Sequence, residues 1–146
     1  MISQQFTNSE SAARGRRSDL YNPAELPRLI EAVSGAMAEQ KYRENDIYQV
    51  RLALEEAVSN AVQHGHGGDP SKAVHVWWDV RPERVLAEVE DEGEGFDPRR
   101  ITDPTAPENR GRERGRGLFL MRQAMTWVRY NERGNRVALC KQRSAP

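Results

Sequence analysis

The chain has 146 residues, a length that suits one domain built on one core. Its 22 basic and 22 acidic residues balance, so net charge directs it neither to nucleic acid nor to an anionic membrane surface. The one cysteine, Cys140, excludes an internal disulfide, and no run of about 18 apolar residues exists to span a bilayer.

Residues 1–17 are polar and lack an apolar signal core, so they are expected to form a loose tail ahead of a domain covering 18–146 in a cytoplasmic protein. Asn22-Pro23-Ala24-Glu25 reads as a helix start, with Asn22 as cap, Pro23 at the first helical position and Glu25 closing a box-like pattern. Leu26, Leu29, Ile30, Val33 and Met37 follow at helical spacing, which predicts a first helix ending near Gln40. A second helix, capped by Asn45 or Asp46, carries Ile47, Val50, Leu54, Ala57, Val58 and Ala61 as its apolar stripe. Gly65-His66-Gly67-Gly68-Asp69-Pro70 ends it. Val74, Val76, Trp78 and Val80 alternate as in a strand, Arg81-Pro82-Glu83-Arg84 turns, and residues 85–90 return antiparallel.

Residues 96–116 are rich in Pro, Gly and Arg and nearly free of apolar periodicity; a structureless stretch of that length inside a domain is ordinarily functional. A third helix is predicted from near Gly117, with Leu118, Leu120, Met121 and Met125 available for packing. A hairpin of 126–130 and 136–141 then turns at Glu132-Arg133-Gly134-Asn135, and Cys140 is expected to be a buried strand thiol. Helix, helix, hairpin, loop, helix, hairpin gives an α+β two-layer sandwich with helices segregated on an antiparallel sheet.

Three features carry chemistry. Glu56 and Asn60 lie one helical turn apart on one face, about 6 Å along the axis, and interrupt an apolar helix; His64 continues the row. An asparagine carbonyl is a hard oxygen ligand suited to Mg²⁺, and a carboxylate one turn earlier can take a proton from a hydroxyl or orient a water. By itself the pair reads more readily as a solvated surface row. Second, Asp91-Glu92-Gly93-Glu94-Gly95 follows a strand end, where glycines allow tight turns and Asp91 could accept a hydrogen bond from the amino group of a base. Third, Gly115-Arg116-Gly117 leads into a helix, offering amides and dipole to phosphate without the Walker spacing. Six arginines of the intervening loop suit polyphosphate, nucleic acid, an acidic protein or plain solvent.

Together these pieces resemble the GHKL ATPase/kinase superfamily in its histidine-kinase-like branch and, more narrowly, the bacterial anti-sigma-factor serine/threonine kinases. Glu56-Ala57-Val58-Ser59-Asn60-Ala61 with His64-Gly65 resembles the N box of that family. Asp91-x-Gly93-x-Gly95-Phe96 resembles its G1 box, Gly115-Arg116-Gly117-Leu118 its G2 box, and residues 96–116 its ATP lid. The resemblance spans roughly residues 19–141. It implies the Bergerat ATP-binding fold, a mixed, mostly antiparallel sheet with helices on one face. It implies ATP and Mg²⁺ as cofactors, Asn60 as metal ligand and Asp91 on the adenine amino group. Gly93 and Gly95 would shape the base wall, with Phe96 also among the cofactor-binding residues. Gly115, Arg116 and Gly117 with the amides of Leu118 and Phe119 would hold the phosphates, and Glu56 would be the general base. The implied partners are a STAS-domain anti-sigma factor antagonist, a sigma factor and a second copy of the chain. Neither direct nucleic-acid binding nor a membrane is implied.

One departure from the resemblance stands out: several members of that family carry Gly-Thr at the start of the final strand, where the hydroxyl can reach phosphate, and this chain reads Gly134-Asn135-Arg136. The three histidines, His64, His66 and His75, all lie at or after the N box, which disfavours a sensor histidine kinase. A gyrase-like hydrolase needs a transducer domain that is not expected here. The alternative is an ATP-binding regulatory module that controls a partner without turnover. A zinc site at His64-x-His66 is disfavoured for want of further ligands, and Trp77, Trp78 and Trp127 are expected in core or interface rather than as a base-stacking platform.

Overall fold

The computed structural model describes residues 15–63, 71–93 and 113–146, with residues 113–116 described by backbone alone. The elements in chain order are β1 (Arg16–Leu20), α1 (Leu26–Glu39), α2 (Glu44–Ala61), β2 (Val74–Val80), β3 (Arg84–Glu90), α3 (Glu113–Ala124), β4 (Trp127–Tyr130) and β5 (Arg136–Gln142). The strands form one five-stranded sheet in the order β1-β2-β3-β5-β4, and every pairing among the described residues is antiparallel. The expected α+β sandwich is therefore present, with its mostly antiparallel sheet antiparallel throughout the described strands.

Strand alternation sorts the side chains by face. Val74, Val76 and Trp78 of β2, Val85, Ala87 and Val89 of β3, and Val137 and Leu139 of β5 point to the helices. There they meet Leu29, Ile30, Val33 and Met37 of α1, Val50, Leu54, Ala57 and Val58 of α2, and Leu118 and Met121 of α3 in one core. The opposite face carries a smaller cluster, Leu86 and Cys140 flanked by the half-buried Trp77 and Trp127. Cys140 is buried as expected, and of the three tryptophans only Trp78 belongs to the main core.

The start of α1 follows the sequence pattern closely. Asn22 Oδ1 accepts from the Ala24 N–H at 2.9 Å, and Glu25 reaches back to the Tyr21 N–H at 3.0 Å across a short 3-10 turn, Pro23–Glu25. The helix ends in a Schellman arrangement. The Tyr42 N–H bonds the Met37 carbonyl at 3.1 Å and the Lys41 N–H bonds Ala38 at 3.0 Å, with Lys41 at φ 63° where glycine is usual.

Three expectations about elements need correction. β1 was not anticipated, although Arg16 and Arg17, from the stretch expected to be a tail, pair with Trp78 and Trp77. The second helix begins at Glu44 with Arg43 in the cap position and no side-chain cap; Asp46 is instead buried in the first turn, accepting from the N–H and hydroxyl of Ser144. The third helix begins at Glu113, a full turn before Gly117. The expected tail up to Arg14, the histidines His64 and His66, and most of the lid lie outside the described residues.

Candidate functional site

Helix α2 and one end of the sheet, around β3 and the β4–β5 hairpin, enclose a cleft. Its helical wall is Ala57, Asn60 and Ala61 of α2; its sheet wall is Val89, Asp91 and Val137; its rim is Tyr130 with Gly134, Asn135 and Arg136 of the β4–β5 turn. The empty space between these walls, counting space open to solvent, is about 330 Å³. Thus Asn60 and Asp91, 31 positions apart in the chain, line one cavity.

The third expected feature reaches the same place. α3 packs on α2, and Gly117 is buried there. A methyl group at Gly117 would lie 2.9 Å from Glu56 Oε2, 3.0 Å from Asn60 Nδ2 and 3.5 Å from Asn60 Oδ1. Only a residue without Cβ allows both polar side chains to stand against the α3 backbone. Glu56 and Asn60 are both half-buried, so this is a polar row held between two helices and not a solvated face.

The strand-end loop is held from two sides. Asp91 is buried, at 8% exposure, and its Oδ1 accepts from the Gly93 N–H at 2.8 Å, an Asx turn that orients the carboxylate. On the β2 side, Glu92 Oε2 accepts from the Ala73 N–H at 2.6 Å and lies 3.5 Å from His75 Nε2. His75 in turn meets Asp19 of β1 at 2.7 Å; that bond holds the Asp19 carboxyl below its usual range, against partial desolvation and with help from Arg17. On the β5 side, the Asp91 N–H donates to the Asn135 carbonyl at 2.9 Å, and Arg133 donates to the Gly93 carbonyl at 3.3 Å.

The structure brings together Glu56, Asn60, Asp91 and Gly117, with Gly93 beside Asp91. Gly95 and Phe96 lie outside the described residues. Gly115, Arg116 and Gly117 stand inside α3 instead of in a loop before it. The amides of Leu118 and Phe119 are therefore more than a turn into the helix, where amides are ordinarily taken by carbonyls four residues back. Leu118 is a core residue and Phe119 is exposed. Sequence reading missed the rim. Tyr130 gave no signal beyond strand alternation, but the polar pair Asn131 and Asn135 bracketing the turn could have been noticed.

Among the described residues no cluster of three or more metal-binding side chains occurs, and no helix is long and apolar enough to cross a membrane.

Comparison with known proteins identifies the family. The family described as the histidine kinase-like ATPase domain matches residues 21–141. Serine-protein kinase RsbW of Bacillus licheniformis is 34% identical over 66% of this chain and 64% of its own length. That of Bacillus subtilis (strain 168) is 33% identical over 75% of this chain and 72% of its own. That of Staphylococcus aureus (strain MSSA476) is 27% identical over 81% and 80%. The matched stretch thus covers just under two thirds of the first of these relatives. With the family match spanning most of the chain and all the site residues named above, the chain belongs to the histidine kinase-like ATPase domain family, alongside the RsbW serine-protein kinases.

Proposed function

We propose that this chain is an anti-sigma factor serine/threonine kinase that uses Mg-ATP to phosphorylate a STAS-domain anti-sigma factor antagonist in a partner-switching circuit. The observation that carries the reading is the meeting of Glu56, Asn60 and Gly117 at one point beside the cleft that holds Asp91. The relatives named serine-protein kinase support it.

The residues present fit a nucleotide and its metal. Gly117 lets the Glu56 and Asn60 side chains stand against the α3 backbone, and Asn60 supplies a side-chain oxygen to the cleft. Mg²⁺, when bound through Asn60, neutralises charge on the phosphates. Asp91, oriented by the Gly93 N–H, accepts a hydrogen bond from the exocyclic amino group of adenine, and Val89 and Val137 give the base apolar walls. Glu56 takes the proton of the incoming serine or threonine hydroxyl. Catalysis on this plan is mostly positioning.

The test is incubation with γ-labelled ATP, Mg²⁺ and the STAS-domain protein encoded nearby. Label on a serine or threonine of that protein is expected. Tight ATP binding with no transfer to any candidate would replace the kinase by a regulatory ATP-binding module. Glu56→Gln should keep ATP affinity within about threefold and lower transfer by about 10²-fold or more; equal transfer would remove Glu56 as base. Asn60→Ala should weaken Mg-ATP binding by about tenfold, and undiminished affinity would contradict its role as metal ligand.

A further inference from the structure

We infer that the β4–β5 turn, through Asn135, selects the purine: it fixes Asp91 so that the cleft takes a 6-amino purine and turns away a 6-oxo one. The inference rests on reading the cleft as a nucleotide site.

A chain of two side-chain amides, ending on the Asp91 backbone, carries it. Asn131 Oδ1 accepts from two backbone donors of the turn, the Gly134 N–H at 2.9 Å and the Arg136 N–H at 3.2 Å. Those two bonds decide which end of the Asn131 amide is oxygen, so its Nδ2 must face outward. Asn131 Nδ2 donates to Asn135 Oδ1 at 2.8 Å, which decides the second amide in the same way. Asn135 Nδ2 then points at the Asp91 carbonyl and donates to it at 3.3 Å. The Asp91 N–H meanwhile donates to the Asn135 carbonyl at 2.9 Å. Residue 91 is therefore held at its N–H and its C=O by the same residue of the turn, and its carboxylate is set by Gly93.

The consequence is chemical. A carboxylate only accepts, so it pairs with the amino group of adenine and repels the oxygen of hypoxanthine or guanine at the same position. Discrimination survives only while the carboxylate cannot shift to meet the ring N–H of the 6-oxo base instead. Pinning residue 91 on both sides removes that shift. The Asn135 amide carries a donor and an acceptor at separate atoms, and the turn uses both. Asn135 is thus a positioning residue.

The experiment measures Mg-ATP and Mg-ITP affinities of the full chain by titration calorimetry, for wild type, Asn135→Ala and Asn135→Leu. The leucine keeps the size of the side chain and adds no charge, and it loses the donor to Asp91. Circular dichroism establishes that each variant is folded. Wild type is expected to favour ATP by about tenfold or more, the effect of one well-placed polar group. In both variants the ratio should fall to within about threefold of unity. A wild type with no preference would end the nucleotide reading of Asp91 and the inference with it. A wild-type preference that both variants retain would overturn the inference alone, even if both affinities drop together.

Discussion

At the scale of single residues, the site depends on what is absent at Gly117. On helix propensity alone, replacing a glycine inside α3 by alanine should stabilise the chain by about 1 kcal/mol. The added methyl would meet Glu56 Oε2 at 2.9 Å and Asn60 Nδ2 at 3.0 Å, both at the far ends of side chains that can turn aside. The steric cost therefore falls on the position of the polar pair and not on the fold. Gly117→Ala is expected to leave the melting temperature unchanged or slightly higher while phosphotransfer falls by about tenfold or more, since misplacement of about 1 Å can cost 10²-fold. A thermal melt and a transfer assay on the same preparation check this; a destabilised protein with normal transfer would refute it. Glu88, fully buried on the other face of the sheet, shows the opposite case. Its carboxylate takes the Arg136 guanidinium, which also lies over Trp77, so the first residue of β5 is fixed to β3 beside the cleft. Glu88→Ala should cost about 1–2 kcal/mol in denaturant unfolding, less than for a pair buried on both sides, because the Arg136 left behind is partly exposed and keeps Glu90 within 3.8 Å.

At the scale of elements, legibility followed local pattern and failed where a distant contact decided. α1, β2, β3 and the final hairpin were readable because each has its own period and its own turn residues. β1 was not, because Arg16, Arg17, Ser18 and Asp19 give no alternation and only Leu20 is buried. Asp46 looked like a cap for α2, but its carboxylate is taken by Ser144, 98 positions away. The start of α3 was misplaced because glycines punctuate most sequences, whereas here Gly117 is kept for close packing on α2. The site was legible in its residues and not in its rim, since no local rule joins Asn131 and Asn135 to Asp91. The same holds at the far end of the sheet. Arg143 donates to the carbonyls of Gln40, Lys41 and Pro82 and lies 4.2 Å over the Tyr42 ring. It thereby caps the C-terminus of α1 and ties it to the β2–β3 turn. Arg143→Ala is expected to cost about 1–2 kcal/mol in urea unfolding and to leave ATP affinity unchanged. A change in ATP affinity without a change in stability would show that the latch serves the cleft instead.

At the scale of the molecule, the two ends of the sheet do different work. Seven residues of β3 separate the β2–β3 turn from Asp91, about 20 Å of strand. One end carries the cleft; the other is closed by Arg143, by Ser144 on Asp46, and by the Tyr42 hydroxyl on the Arg81 carbonyl at 2.6 Å. Tyr42 makes that closure sensitive to alkali. Burial pushes its phenol up from 10.0 to about 12, with Arg143 opposing the shift. A raised pKa means that the folded state holds the proton more tightly than the unfolded state does. The contribution is therefore whole below pH 10 and is lost as pH rises through about 12. Two units correspond to about 2–3 kcal/mol when fully lost. Tyr42→Phe removes both the hydroxyl bond and the titration. Near pH 8 the variant should be less stable than wild type by about 1 kcal/mol, the net worth of one hydrogen bond. As pH rises, wild type alone loses stability through this group, so the two unfolding free energies should converge and cross near about pH 11. ATP affinity at neutral pH should be the same for both, because the closure is remote from Asp91 and Asn60. Parallel curves that never meet would mean that the phenol titrates as freely in the folded chain as in the unfolded one.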